Sequence, residues 1–452
     1  MNYKKRLKQI LLFTAGLLFL GLPAYTICAN ALNIQNSNLF LRYEVDDVFV
    51  GELKHTIQIV NTAHTKIAGG KLFIPIVNNL TARHYSILYK INSTGGKPAF
   101  FKDDFENLYA YWNNIVIEPG KAFTVELNYH IISFSVSYTI NASMVKNYDK
   151  NSTMYKRYTQ PEKLIESDNP QIISAAKSIV GDEENPYKKA QKIFDFVTTH
   201  IRYERQEEER GALWALKNGV GDCSEYSYLF VALCRAAGIP AKIQAGFVFN
   251  KVGENMTDGH MWAEFYLENY GWIPVDATWD QFQARDFRHF CSIQSIPEII
   301  PYSNYLFNST MGPKPKDEQV AQLKALSPNN ISDDDFTQNL LNAVQKIKQT
   351  EFAIYIAKTL GVSLFFSSEM HETAQKIFES KIYVQNAVDS WETDPQIARS
   401  NVVNAVGNIE EASNVVWVLI AETFTIFISV PAAIMLISLI FIRRHQFKSE
   451  PI

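Results

Sequence analysis

The chain is short of cysteine: its 452 residues hold only Cys28, Cys223, Cys234 and Cys291, and no two of them form a CxxC pair. That spacing excludes zinc ribbons and thioredoxin-type redox motifs. Between its two ends it has no run of lysine and arginine, and its net charge is −4, so no nucleic-acid partner is expected. Neither an internal repeat nor a low-complexity tract is present. The 47% hydrophobic content is ordinary for folded protein, and the length suffices for two or three domains with their own cores. Cys28 lies in an N-terminal apolar segment, so a processed chain keeps three thiols. A Cys234–Cys291 bridge with one free thiol and three free thiols both fit that number.

The ends speak for a membrane. Lys4, Lys5, Arg6 and Lys8 precede an apolar run from Ile10 to Leu22, then Pro23 and the small-x-small pattern Ala29-Asn30-Ala31. This is the layout of a signal peptide over residues 1–31, cleaved after Ala31. Near the other end, Thr423 to Ile442 carries no charge over twenty residues, enough at ~1.5 Å per residue to cross a hydrocarbon core of ~30 Å. Val415–Ala421 extends the run outward, with Glu422 at the interface, so a transmembrane helix is expected over 415–442. Arg443, Arg444 and Lys448 follow, and basic flanks stay cytoplasmic. The expected topology is a single pass with the bulk of the chain extracytoplasmic and residues 443–452 as a cytoplasmic tail.

Between these ends the hydrophobic period changes. Residues 32–155 alternate with period two in runs such as "HTIQIV", "KLFIPIV" and "FTVELNYHIISFSVSYTI", broken by Asn78-Asn79 and Gly95-Gly96, which predicts a β-sandwich-like domain. Residues 156–290 mix helical and strand periods in an α+β core. From 291 to 330, proline, serine and asparagine accumulate, and a linker is expected. Residues 331–414 carry long amphipathic stretches that predict a helical stalk.

The core holds the chemistry. In "NGVGDCSEYSYLFVALCRAAGIPAKIQAGFV", Gly219 and Gly221 permit a tight turn into a helix, Asp222 can cap it, and Glu225 completes a capping box. Tyr226, Leu229, Phe230, Leu233 and Ala237 form its apolar stripe, and Gly238 and Pro240 end it. Cys223 therefore sits at a helix start, where free N–H groups and the dipole favour a thiolate and can receive an oxyanion. Cys234 continues the apolar stripe and reads as packing. In "DGHMWAEFYLENYGWIPVDATWD", two strands flank a three-residue turn at 268–270. That register sets His260 opposite Thr278 and diagonal to Asp276, on one face. A carboxylate so placed orients an imidazole.

These segments resemble the transglutaminase-like core, related to papain-type cysteine enzymes. The shared pattern is a Gly-x-Cys helix start, Gly238-Ile239-Pro240-Ala241, a His260-x-Trp262-Ala263-Glu264 strand and Trp272-x-Pro274-Val275-Asp276, over roughly residues 190–282. By this resemblance Cys223 is the nucleophile, His260 the general base and acid, and Asp276 its orienting partner. Trp214 is the nearest candidate for an upstream oxyanion donor, and with Trp262 it is expected to face the substrate; Trp272 and Trp279 are expected to wall the site. The implied reaction is acyl transfer through a thioester on a protein or peptide amide, ending in crosslinking, deamidation or hydrolysis, with no cofactor or metal. The competing readings are a silent domain used for binding and a structural surface protein.

Overall fold

The computed structural model describes residues 40–79, 84–295, 304–327 and 335–446. The expected signal peptide and its cleavage point lie outside the described residues. Six strands come first: β1 (Tyr43–Val60), β2 (Ile67–Pro75), β3 (His84–Ser93), β4 (Ala99–Lys102), β5 (Leu108–Ile117) and β6 (Ala122–Tyr138). Helices α1 (Pro170–Val180), α2 (Pro186–His200), α3 (Ala212–Asn218) and α4 (Cys223–Ala236) follow, then strands β7 (Ala241–Val248), β8 (His260–Leu267), β9 (Gly271–Asp276) and β10 (His289–Gln294). Strands β11 (Leu306–Asn308) and β12 (Lys316–Ala325) precede the long helices α5 (Asp335–Thr359), α6 (Ser367–Ser390) and α7 (Pro395–Gln446).

The expected alternation is visible along β1, where Leu53, His55, Ile57 and Ile59 are buried and the residues between them are not. It packs beside β6, which also carries β3, while β2 and β5 lie in a second sheet ordered β11-β2-β5-β4. Leu53, Ile57, Leu72, Trp112, Val125 and Leu127 from both sheets share one core, the arrangement of a sandwich.

The described part of the stretch from 291 to 330 is not a linker. Strand β11 pairs with β2, and β12 pairs with β1 over ten residues from Gly51↔Ala325 to Val60↔Lys316. Only Ala321 and Leu323 of β12 are buried, so its sequence, KDEQVAQLKA, shows little apolar alternation. Its partner lies far upstream, and local pattern carries no trace of such a pairing. Phe247, Phe249 and Phe290 belong to the same core as Leu53 and Tyr129, so the sandwich and the α+β part share packing as well as chain.

A separate antiparallel sheet runs Gln281–Phe282, β9, β8, β7, β10. Helix α4 packs on β8 with one side and on α1, α2 and α3 with the others. Every residue from Ser224 to Arg235 is consequently buried, including the polar ones. Strand β7 is buried throughout, and Gly246 at its centre pairs with His260 on one side and Cys291 on the other. A Cβ there would stand 2.1 Å from the Phe290 carbonyl oxygen, a backbone atom that can yield only if β7 and β10 separate. Gly246→Ala is therefore expected to cost about 3 kcal/mol of stability, readable as a lowered midpoint of thermal unfolding by circular dichroism. An unchanged midpoint would show that the sheet relaxes freely.

The three long helices form a bundle. Helix α7 presents Ala398, Val402, Ala405, Ile409, Ala412 and Val416 as a buried stripe, and between Phe424 and Phe441 most of its large apolar side chains are exposed. The expected stalk is thus three helices packed on one another, and only its last part, residues 395–414, is continuous with the expected span in α7, which is long and apolar enough to cross a membrane. The bundle is also docked on the sandwich. Lys381 Nζ reaches Glu44 Oε2 at 2.7 Å, the Tyr43 hydroxyl donates to Asp389 at 2.7 Å, and the Arg42 amide donates to Gln385 at 2.6 Å.

Candidate active site

The first turn of α4 is built by its own sequence. Asp222 accepts from the Ser224 amide at 3.1 Å, and Glu225 reaches back to the Asp222 amide at 3.1 Å, closing a capping box. Glu225 also accepts from the Arg210 amide at 2.8 Å, which ties the preceding loop to the helix. Gly221 is required for this closure, because a Cβ on it would lie 2.3 Å from that of Glu225. Burial pushes the Glu225 carboxyl up, against the two amides that favour its charge. Glu209, which accepts from the Tyr228 hydroxyl at 2.8 Å, is pushed up by burial too.

Cys223 is partly exposed at the N-terminus of this helix, on a cleft of about 200 Å³. Its own N–H belongs to the first turn, whose donors have no carbonyl partner within the helix. Across the cleft stands His260, whose Nε2 lies 2.7 Å from Asp276 Oδ2. With Nε2 engaged, Nδ1 is the ring nitrogen left to face Cys223, whose sulfur is among the groups that favour charge on the imidazole. The hairpin register is the expected one, with Ala263↔Val275 and Leu267↔Gly271 paired, so His260 and Asp276 rise from the same face.

Asp276 is a fully occupied carboxylate. Its Oδ1 accepts from the Thr278 and Trp279 amides at 3.0 and 3.1 Å, while Oδ2 receives His260 and, at 3.1 Å, the Nε2 of His289. Burial works against its charge, but the two histidines outweigh burial and hold it well below the usual carboxylate range. Burial likewise opposes charge on His260. The Asp276 carboxylate, helped by Cys223, prevails and raises the imidazole to about 10. The remaining thiols differ: burial pushes Cys234 far up and Cys291 up to about 12. All three described cysteines are free.

His289 is the member that sequence reasoning missed. It is fully buried on β10, beyond the recognisable motifs, and its Nδ1 lies 3.1 Å from Asp286 Oδ1, which Arg288 in turn engages. The Asp286-x-x-His289 spacing was the available signal, but nothing local connects it to Asp276. Among the described residues, His260, Asp276 and His289 also form a group of potential metal ligands, their donor atoms within 4.8 Å of one another. The 2.7 and 3.1 Å separations about Asp276 Oδ2 are hydrogen-bond lengths. His289→Phe deletes one donor to the buried carboxylate, a loss of ~1.5–3 kcal/mol. Turnover is expected to fall on the order of 10–100-fold with KM unchanged. A change confined to KM would give His289 no part in orienting Asp276.

The aromatic residues divide. Trp262, expected to face the substrate, is instead fully buried behind His260, its ring 6.2 Å from the imidazole, and Trp279 flanks the imidazole at 5.8 Å; neither is among the cleft-lining residues. Trp272 instead covers the buried Lys242 ammonium, 4.3 Å away, and takes no part in the cleft. Trp214 is likewise not among the cleft-lining residues: α3 buries Ala212 and Ala215 and directs Trp214 off that face. The rim is acidic, formed by Glu207, Glu208 and Glu209. Asn304, 7% exposed, also lines the cleft, and its Nδ2 has no partner among the described residues.

A capped helix start bearing cysteine, packed on an antiparallel sheet bearing histidine and aspartate, defines a transglutaminase-like, papain-related fold. Residues 173–277 match the family model of the transglutaminase-like superfamily, and this stretch is a transglutaminase-like domain. Among curated proteins, the chain is 34% identical over 129 residues to an uncharacterized protein of Haemophilus influenzae, covering 22% of this chain and 34% of that protein. It is 35% identical over 66 residues to a protein-glutamine gamma-glutamyltransferase of Pseudomonas aeruginosa, covering 13% of this chain and 10% of that one. The aligned stretches thus span about a third or less of these relatives. Among solved structures, a candidate cysteine protease from Cytophaga hutchinsonii aligns with a TM-score of 0.48 at 16% identity, over 63% of this chain and 93% of that chain. The periplasmic domain of TgpA from Pseudomonas aeruginosa aligns with a TM-score of 0.28 at 16% identity, over 51% and 90%.

Proposed function

We propose that the chain is a membrane-anchored thiol acyltransferase whose catalytic domain faces away from the cytoplasm, with Cys223 as nucleophile, His260 as acid and base, and Asp276 as the residue that orients His260. The observation carrying this reading is the line from Cys223 through His260 to the four-times hydrogen-bonded Asp276, opening on a cleft. The Cys223 sulfur gives its proton to His260 and attacks the carbonyl carbon of a glutamine carboxamide or a peptide amide. The oxyanion forms against the first-turn N–H groups of α4. His260 returns the proton to the departing ammonia or amine as the C–N bond breaks, leaving a thioester. Water or an amine, deprotonated by His260, then attacks the thioester and frees the thiol. Water gives deamidation or hydrolysis, and an amine gives a crosslink.

Support for the compartment comes from the apolar α7 and from the basic residues that follow it in the sequence. The full chain in vesicles, incubated with a glutamine-rich protein and a labelled primary amine, is expected to form covalent adducts or cleaved or deamidated product. The absence of all three across substrates, with the fold intact, would overturn the enzyme reading.

A further inference from the structure

The end of the bundle where α7 enters its apolar stretch is not built like a surface in water. The turn between α5 and α6 places Leu364 at 78% and Phe365 at 46% exposure. It is an ordered turn, held by hydrogen bonds that the Leu364 and Phe366 amides donate to the Gly361 and Val362 carbonyls, both 3.0 Å, with Val362 buried beneath. The two apolar side chains are therefore presented by the fold and not released by fraying.

Contacts along the bundle fix the level of this turn. Lys346 on α5 pairs with Glu410 on α7 at 2.7 Å, and Asn408 on α7 donates to Glu379 on α6 at 3.4 Å. Running parallel from the first pair, α5 brings Tyr355 level with about Leu419 and its last residue, Thr359, level with about Thr423; running antiparallel from the second, α6 begins at Ser367 level with about Ile420, by equal rise per residue, so the turn between them sits at that height. Thr423 opens the twenty-residue uncharged run. A direct contact agrees with this: the rings of Phe365 and Phe427 meet edge to face at 5.8 Å. Just above, Phe352, Tyr355 and Trp417 are 63%, 67% and 52% exposed. Aromatic side chains at that height match the preference of such rings for the headgroup layer.

We infer that the α5–α6 turn is a second membrane contact, with Leu364 and Phe365 inserted in the interface of the leaflet that α7 enters, below a belt formed by Phe352, Tyr355 and Trp417. The inference rests on the reading of α7 as a membrane span and adds to it. A lone span is free to tilt, whereas a span plus a wedge on a neighbouring helix sets the bundle's angle. Since the bundle's far end is locked to β1, the sandwich and cleft are then held at a fixed stand-off. From Thr423 to Pro395, α7 rises about 42 Å.

The test uses the full chain, with Cys28→Ser and Cys223→Ser, in phosphatidylcholine–phosphatidylglycerol vesicles containing doxyl-labelled lipid. A polarity-sensitive fluorophore is attached singly through Leu364→Cys, Tyr355→Cys, Ile434→Cys or Gln396→Cys. Expected are blue-shifted emission and quenching at 364 approaching those at 434, intermediate values at 355, and water-like emission at 396. Water-like emission at 364 and 355 with quenching at 434 overturns the second contact and leaves the span standing. Water-like emission at 434 overturns the span and the contact together.

Discussion

Replacing Cys223 by alanine is expected to abolish product formation, a fall of about 10⁴-fold or more, because the group proposed to form the thioester is gone and nothing nearby can substitute for it. The expectation is sharp because the chain supplies its own controls. Cys234 and Cys291 are fully buried, and burial pushes both thiols up. In the folded protein, a small thiol-reactive probe read by peptide mass spectrometry is expected to label Cys223 and spare the other two, and the alanine variant should lose the label. Circular dichroism should remain native, since Cys223 is only partly buried and the capping box around it does not use its sulfur. If Cys223 reacts no faster than Cys234 or Cys291, the nucleophile assignment fails.

Asp276→Asn is expected to be nearly as severe, about 10³–10⁴-fold, for an electrostatic reason. The wild-type carboxylate accepts four hydrogen bonds and donates none. An amide cannot do this: its NH₂ must face either two backbone amides or two histidines, and the imidazole loses its counter-charge. A second readout follows from the same contact. His260 is raised in the folded state from the ordinary 6.5 to about 10, so its share of stability is complete below about pH 6.5 and drains away as pH rises toward 10. Asp276 is lowered from the ordinary 3.8, so its share is present above that value and is lost on further acidification. The wild-type protein should therefore show its greatest benefit from the pair between about pH 4 and 6.5. Thermal unfolding across pH 5 to 10 should decline more steeply in wild type than in Asp276→Asn. Parallel curves would mean that the charge on Asp276 does not stabilise the imidazolium.

Much of this site was legible because its signals are short-ranged. A cap three residues from its partner, a helix stripe and a three-residue hairpin turn each lie within one element or two adjacent ones. They place Cys223 at a helix start and put His260 and Asp276 on one face, as the α4 capping box and the β8–β9 register show. The apolar helix near the C-terminus was legible on the same terms, since charge-free length is a property of composition.

Other features depend on residues that meet only after folding. The strand at 316–325 pairs with β1 from the opposite end of the chain, and its polar sequence carries no sign of that neighbour. His289 reaches Asp276 although β10 is the edge strand of the sheet, with β7 and β8 between it and β9, and Trp214 is not among the cleft-lining residues because α3 spends its buried face on alanines. The bundle's docking on β1 through Lys381 and Glu44 is likewise a pairing of distant residues. By itself, then, the sequence determined the helix that begins at Cys223, the histidine–aspartate hairpin and the apolar span, since caps, turns and hydrophobic period act over a few residues. Tertiary structure alone decided what stands behind Asp276, what closes the sandwich and how the bundle is seated, since these are set by packing between segments that share no local pattern.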